Sequence, residues 1–252
     1  MGSREEFFAA VDALPVIDTH EHLEPEQERN LTPPLDFFHW FSHYASSDLI
    51  SAGMPGADLE YCRKSENPLE ERWNRFEHWW ERTRNTAYCK ALELAARDLF
   101  GVEEINRATV GTLSERLEAT RQPGWYKVVM REKCNIRKAI FCGDYPGLDR
   151  ELFSPVYHID GLISPFSKQQ LGWFGQQFEI SVHSLRDMLA LYDKVMERTA
   201  QGFCGYKLAI AYQRTLSFPR TNQEDAERVF NRLFQAPRSE EHTSELQSPN
   251  TI

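Results

Sequence analysis

Nowhere in the 252 residues does an apolar run approach the roughly 20 residues that a membrane span requires. The opening stretch, MGSREEFFAAVDAL, has no long apolar core and carries acids early, so it does not read as a secretory signal. Glu6 stands where a myristoylation motif needs serine or threonine. Cysteine is scarce. The five (Cys62, Cys89, Cys134, Cys142 and Cys204) are odd in number and show no CxxC spacing, so neither a disulfide framework nor a zinc knuckle is expected. A reducing cytoplasm is the simplest compartment for such a chain. Clustered basic residues are missing as well: 29 Lys and Arg stand against 38 Asp and Glu, a formal net charge of −9. Nucleic acid and anionic membranes are therefore excluded as expected partners, because both need a basic face. A small molecule is left, and oligomeric state is not legible.

What is present is enough apolar material, 41% of the residues with 12% aromatic, to build a substantial core. A helix is predicted over residues 3–14. After Pro15 comes a short apolar strand over 16–18, delivering Thr19, His20, Glu21 and His22 at its end. From about 33 to 132 the pattern is helical and aromatic, with Phe37, Phe38, Trp40, Phe41 and Tyr44, then Trp73, Phe76, Trp79 and Trp80 at helical spacing. This reads as a helical insertion between the first and second strands, closing with a helix over 125–134. Its aromatic stripes are core first and substrate lid second, and His39, His43 and His78 among them are expected as packed core histidines.

A second strand is predicted over 136–142, with Gly143-Asp144-Tyr145-Pro146-Gly147 as its polar exit turn. A third is predicted over 156–163 and a fourth over 205–211. Between them a capping box of Ser184 and Asp187 starts a helix over 185–200, and a last helix is capped by Thr221 and Glu224. Strand and helix in alternation imply a parallel α/β architecture.

Two histidines at i and i+2 leave one face of extended backbone, so His20 and His22 can reach one divalent ion. Asp18 and Thr19 are suited to hold the turn by side-chain to backbone hydrogen bonds. A bare HxH is weak by itself; its position at the end of the first strand gives it weight. Lys207, in the fourth strand, is the second candidate, against the plain reading of a lysine whose stem packs while its amine reaches water. Arg214 could clamp a substrate carboxylate, although surface arginines are common. Asp144 is a candidate catalytic acid, and Asp160 a weaker one, against simple loop stabilisation.

The segment VIDTHEHL, residues 16–23, resembles the apolar-Asp-x-His-x-His motif of the amidohydrolase superfamily. The likeness extends more weakly over residues 10–237, through RNTAY (84–88), GWYKVVMREKCNIRKAIFCGD (124–144) and KLAIAYQRTL (207–216), and is nearest to the amidohydrolase-related group and its uronate-isomerase-like relatives. The resemblance implies a distorted (β/α)8 barrel, of which this chain holds about the first four strands. It also implies a divalent metal, zinc first and manganese second, held by His20 and His22 at the C-terminal strand ends. Lys207 would then be carbamylated to bridge metals, or stay cationic and bind a substrate carboxylate.

Metal-dependent hydrolysis of an amide or lactone in a small polar molecule is the leading expectation. A uronate-isomerase-like interconversion of sugar acids and a metal-dependent decarboxylation are the alternatives, and an inactive fragment or scaffold is the contrast. Members of the superfamily draw a third histidine from a later strand and an acid from the last, and neither is available before residue 237. Two imidazoles are too few for a tight site, so the chain alone is expected to bind metal weakly and turn nothing over. A half barrel also leaves open edges and an unclosed core. The last stretch, residues 238–252, is polar and without apolar periodicity, and is expected to be a disordered tail. Residues 238–249 resemble the in-frame translation of a sequencing-library adapter, which places the expected end of the biological chain near Pro237.

Overall fold

The structure, a computed structural model, describes residues 3–31, 34–163 and 168–235. The chain divides into two compact units: one from residues 1–15 and 24–135, the other from residues 16–23 and 136–252. The polar tail from residue 238 lies outside the described residues. Among the described residues no helix is long and apolar enough to cross a membrane.

The first unit is helical. Helix α1 (Arg4–Asp12) opens on a capping box in which Ser3 and Glu6 satisfy each other's backbone amides. It is followed by α2 (Glu26–Leu31), a 3-10 turn (Phe37–Phe41), α3 (Tyr44–Ser51), α4 (Gly56–Arg63), α5 (Leu69–Thr83), α6 (Ala87–Phe100) and α7 (Val110–Glu118). A short α8 (Trp125–Lys127) runs on into a π turn (Val128–Lys133), where the sequence predicted one continuous helix. The aromatic spacing of α5 has a direct consequence: Trp73, Phe76 and Trp80 fall on one face and are buried against Phe37, Phe38 and Phe41. Edge-on ring pairs dominate this core, such as Phe41 on Phe76 at 4.9 Å and Phe38 on Phe76 at 5.2 Å. Trp80 Nε1 donates to the carbonyl of Ile105 at 3.1 Å, giving the indole its polar partner. The histidines differ from expectation: His39, His43 and His78 are all exposed, on the faces left over once the wider apolar rings have taken the interior.

The second unit is built on four strands: β1 (Val16–Glu21), β2 (Ile136–Cys142), β3 (Phe153–His158) and β4 (Gly205–Lys207). All neighbouring pairs are parallel and the spatial order is β1-β2-β3-β4. An order that never reverses is the progression of a barrel rather than of a doubly wound sheet. This is an incomplete (β/α)8-type barrel of four strands, as the sequence led us to expect.

Local differences have local causes. β3 starts at Phe153 and stops at His158, earlier than the predicted 156–163. Pro155 has no amide hydrogen to give, yet its carbonyl still accepts from Cys204 N at 2.8 Å, so it sits within a strand that sequence reading began after it. The predicted end of that strand is instead a helical turn, α9 (Asp160–Ile163). β4 ends at Lys207 because Asp160 Oδ1 takes the amide of Ala209, and a 3-10 turn (Ile210–Tyr212) follows.

Helix α10 (Lys168–Phe178) was not foreseen. Its two glycines lower its intrinsic propensity, but Leu171, Phe174 and Phe178 are buried with Leu191 and Val195 of α11 (Leu185–Thr199), so packing decides. Gly175 is required there: a Cβ would lie 2.4 Å from the carbonyl oxygen of Ile180. The Ser184–Asp187 capping box of α11 is present. The last helix, α12 (Gln223–Gln235), is capped by Asn222, whose side chain accepts from Asp225 N at 2.8 Å, not by Thr221.

Candidate metal centre

Every strand of the sheet ends on a side chain with ligand or proton chemistry. β1 delivers His20 and then His22, β2 ends on Cys142, β3 on His158 and β4 on Lys207. Because the strands are parallel, all of these lie at one end of the sheet, and Asp144, just past β2, belongs to the same end.

The histidine motif is shaped by its own backbone. Between Asp18 and Glu21, three steps along β1 face two along β2, so one extra residue bulges the strand where the histidines emerge. Asp18 Oδ1 accepts from His20 N at 3.0 Å, and Glu21 Oε1 from His22 N at 2.6 Å. The two carboxylates thus fix the turn, as expected for Asp18, while the side chain of Thr19 has no such bond among the described ones. Burial pushes the Glu21 carboxyl above its ordinary range, and the nearby Asp18 adds to the effect.

The imidazoles meet. His20 Nε2 and His22 Nε2 are 2.9 Å apart, with ring centroids at 4.6 Å and an edge-on angle of 72°. Lys207 comes in from β4: its Nζ lies 3.3 Å from His20 Nε2 and 3.2 Å from His22 Nε2, and it donates to Cys142 Sγ. The ligand atoms of His20, His22 and Cys142 all lie within 4.8 Å of one another. That arrangement fits a divalent cation. Tetrahedral zinc with bonds of about 2.0–2.3 Å spaces its nitrogen and sulfur ligands at about 3.3–3.8 Å, so the imidazoles need to part by only a few tenths of an ångström. His20 and His22 are exposed and Cys142 and Lys207 half-buried, leaving the cluster open to a small molecule.

The other predicted site residues are elsewhere. Both carboxylate oxygens of Asp144 accept from Arg150 Nη2 at 2.8 Å, tying it into the loop after β2. Arg214 is exposed; it donates to the carbonyls of Thr215 and Ser217 and lies over the Phe218 ring at 5.0 Å. Asp160 holds the turn after β4 and has His158 Nδ1 3.6 Å from its second oxygen. Sequence reading missed Cys142 and His158. A lone cysteine and a lone histidine carry no spacing signal, and only their position as last residues of neighbouring strands marks them.

No protein-family model matches the chain, and no curated protein is found to be similar to it. Solved structures of similar fold include glucuronate isomerase from Caulobacter crescentus, with a TM-score of 0.64 and 17% identity over 92% of this chain and 52% of that one. Uronate isomerase from Thermotoga maritima gives a TM-score of 0.66 and 14% identity over 94% of this chain and 55% of that one. The chain spans about half the length of these structures, and what it shares with them at such identities is their barrel-type fold.

Proposed function

We propose that this chain carries the first half of the active site of a metal-dependent sugar-acid isomerase of the amidohydrolase superfamily. The observation that carries the reading is the convergence of His20, His22 and Lys207 at the C-terminal strand ends of a half barrel whose similar structures are uronate isomerases.

An aldose–ketose isomerisation moves one hydrogen between adjacent carbons and a proton between the oxygens they carry, with no change in formula. A divalent ion held by His20 and His22 would supply Lewis acidity to the oxygens on those carbons. Lys207, once the ion has taken the imidazoles from its amine, would be free to meet the carboxylate that distinguishes a sugar acid from a neutral sugar, with a charge-assisted hydrogen bond as its contribution. Asp18 and Glu21 hold the two histidines by their amides and so fix the direction from which the imidazoles approach. Asp144, bound on both oxygens by Arg150, would shape the loop after β2 before it could carry a proton. Arg214 would have to release its own chain's carbonyls before it could clamp a substrate.

Hydrolysis of an amide or lactone, the reading favoured by the motif alone, has no counterpart in these similar structures. The test is a direct comparison, using this chain and any longer protein that contains it, loaded with zinc or manganese. Glucuronate is assayed for ketose formation, and a panel of lactones and amides for acid release. Ketose formation from the sugar acid supports the proposal; acid release without isomerisation overturns it.

A further inference from the structure

The amine of Lys207, on β4, lies against three donor atoms that β1 and β2 contribute: Nε2 of His20 at 3.3 Å, Nε2 of His22 at 3.2 Å and the sulfur of Cys142. Lysine occupies a place where the chain has gathered ligands for a cation. Cys142 is the last residue of β2, and the strand stops there because Gly143 follows at a φ of 127°, a conformation that side-chain-bearing residues rarely adopt. The sulfur is therefore held by the sheet on one side and a glycine turn on the other. Cys134 and Cys204, by contrast, are exposed and precede β2 and β4, at the opposite ends of their strands.

We propose that Cys142 is a direct metal ligand, completing with His20 and His22 a three-donor His2Cys site. The inference rests on the metal-site reading above and deepens it. Binding displaces the Lys207 amine from the three donors, forms a metal–sulfur bond and releases the thiol proton to water, and the fourth position is left for water or substrate oxygen. A thiolate in the set biases the site toward zinc and cobalt and away from magnesium and manganese, which prefer oxygen ligands. It also supplies, from this chain, the third ligand that two imidazoles lack.

The experiment uses the full 252-residue chain with Co²⁺ and Zn²⁺ as probes. A cobalt site with a thiolate ligand displays a near-ultraviolet sulfur-to-metal charge-transfer band. The expected result is that band at one equivalent of cobalt, its loss in Cys142→Ser, and weakening of zinc binding in that variant by more than the about 10–100-fold that follows removal of an outer-shell partner. A second measurement needs no variant: zinc should protect Cys142 from iodoacetamide, read by peptide mass spectrometry, while Cys134 and Cys204 stay reactive. Stoichiometric cobalt without the band, equal zinc affinity in Cys142→Ser and no protection of Cys142 would overturn the role of Cys142 while leaving the histidine site standing. Failure to bind either metal, with no change in His20→Ala, would overturn both.

Discussion

Lys207 Nζ lies 3.2 Å from His22 Nε2 although 185 positions separate the two residues in the chain. This amine, in the isomerase we propose, would meet the substrate carboxylate once the ion has taken the imidazoles. In the isomerase reading, Lys207→Ala should raise KM for a sugar acid about 10–100-fold, the equivalent of about 1.5–3 kcal/mol for a hydrogen bond to a charged group. Activity on the matching neutral sugar should change far less. Equal losses on both substrates, or a wild-type protein whose own rate rises only when bicarbonate is supplied, would point to a carbamylated lysine instead.

His20 and His22 should each be required for metal. We expect His20→Ala and His22→Ala to lower bound zinc after dialysis, measured by atomic emission, and to abolish any turnover that the protein shows with zinc. Asp18→Asn should have a milder effect, because its amide oxygen can still accept from His20 N. Retention of metal and activity in both histidine variants would reduce the motif to a structural turn.

The cysteines should divide by burial. Burial pushes the Cys62 thiol up to about 11 and raises that of Cys89 as well. Near neutral pH, Cys134 and Cys204 should react rapidly with a disulfide reagent, whereas Cys62 and Cys89 should react only on unfolding. Five thiols reacting at one rate in the native protein would contradict the packing of the helical unit.

A buried ion pair supports that unit. Arg72 Nη1 donates to Asp36 Oδ2 at 2.6 Å, while Asp36 Oδ1 caps the 3-10 turn through Phe38 N at 2.9 Å. Asp36→Ala should cost about 3–5 kcal/mol in urea unfolding, because it strands a buried guanidinium. Adding Arg72→Met should restore part of the loss. A double variant no more stable than the single one would mean that Asp36 acts through the cap rather than through the charge.

Acid should weaken the start of α11. Backbone and side-chain hydrogen bonds from His183 and Ser184 hold the Asp187 carboxyl below its ordinary range. A depressed carboxyl contributes stability above its unfolded value and loses it as the pH falls through the folded one. The melting temperature of Asp187→Asn should therefore lie below that of the wild type at neutral pH, and the gap should close in strong acid. A gap that persists unchanged to low pH would show that the capping geometry, not the charge, is what Asp187 supplies.

The sequence by itself determined the elements whose signal is local. The Ser184–Asp187 box marks a helix start because the reciprocal bonds lie within one turn. The rings of Trp73, Phe76 and Trp80 mark a buried face because their spacing is the helical period. The VIDTHEH segment marks a strand ending on two histidines because alternation places them on a common side. β2 was legible to the residue, and the parallel pairing of the strands followed from their alternation with helices. Tertiary structure decided the rest. Helix α10 exists because its apolar face meets α11, against its own glycines, and β4 stops at Lys207 because an aspartate 49 positions earlier takes the amide of Ala209. Asp144 and Lys207 looked alike in sequence, both polar at strand ends, yet Arg150 claims the first and the histidines receive the second. Cys142 shows the same limit most directly: its sulfur joins the histidines only through the parallel register of β1 and β2, a long-range pairing that no spacing within the chain encodes.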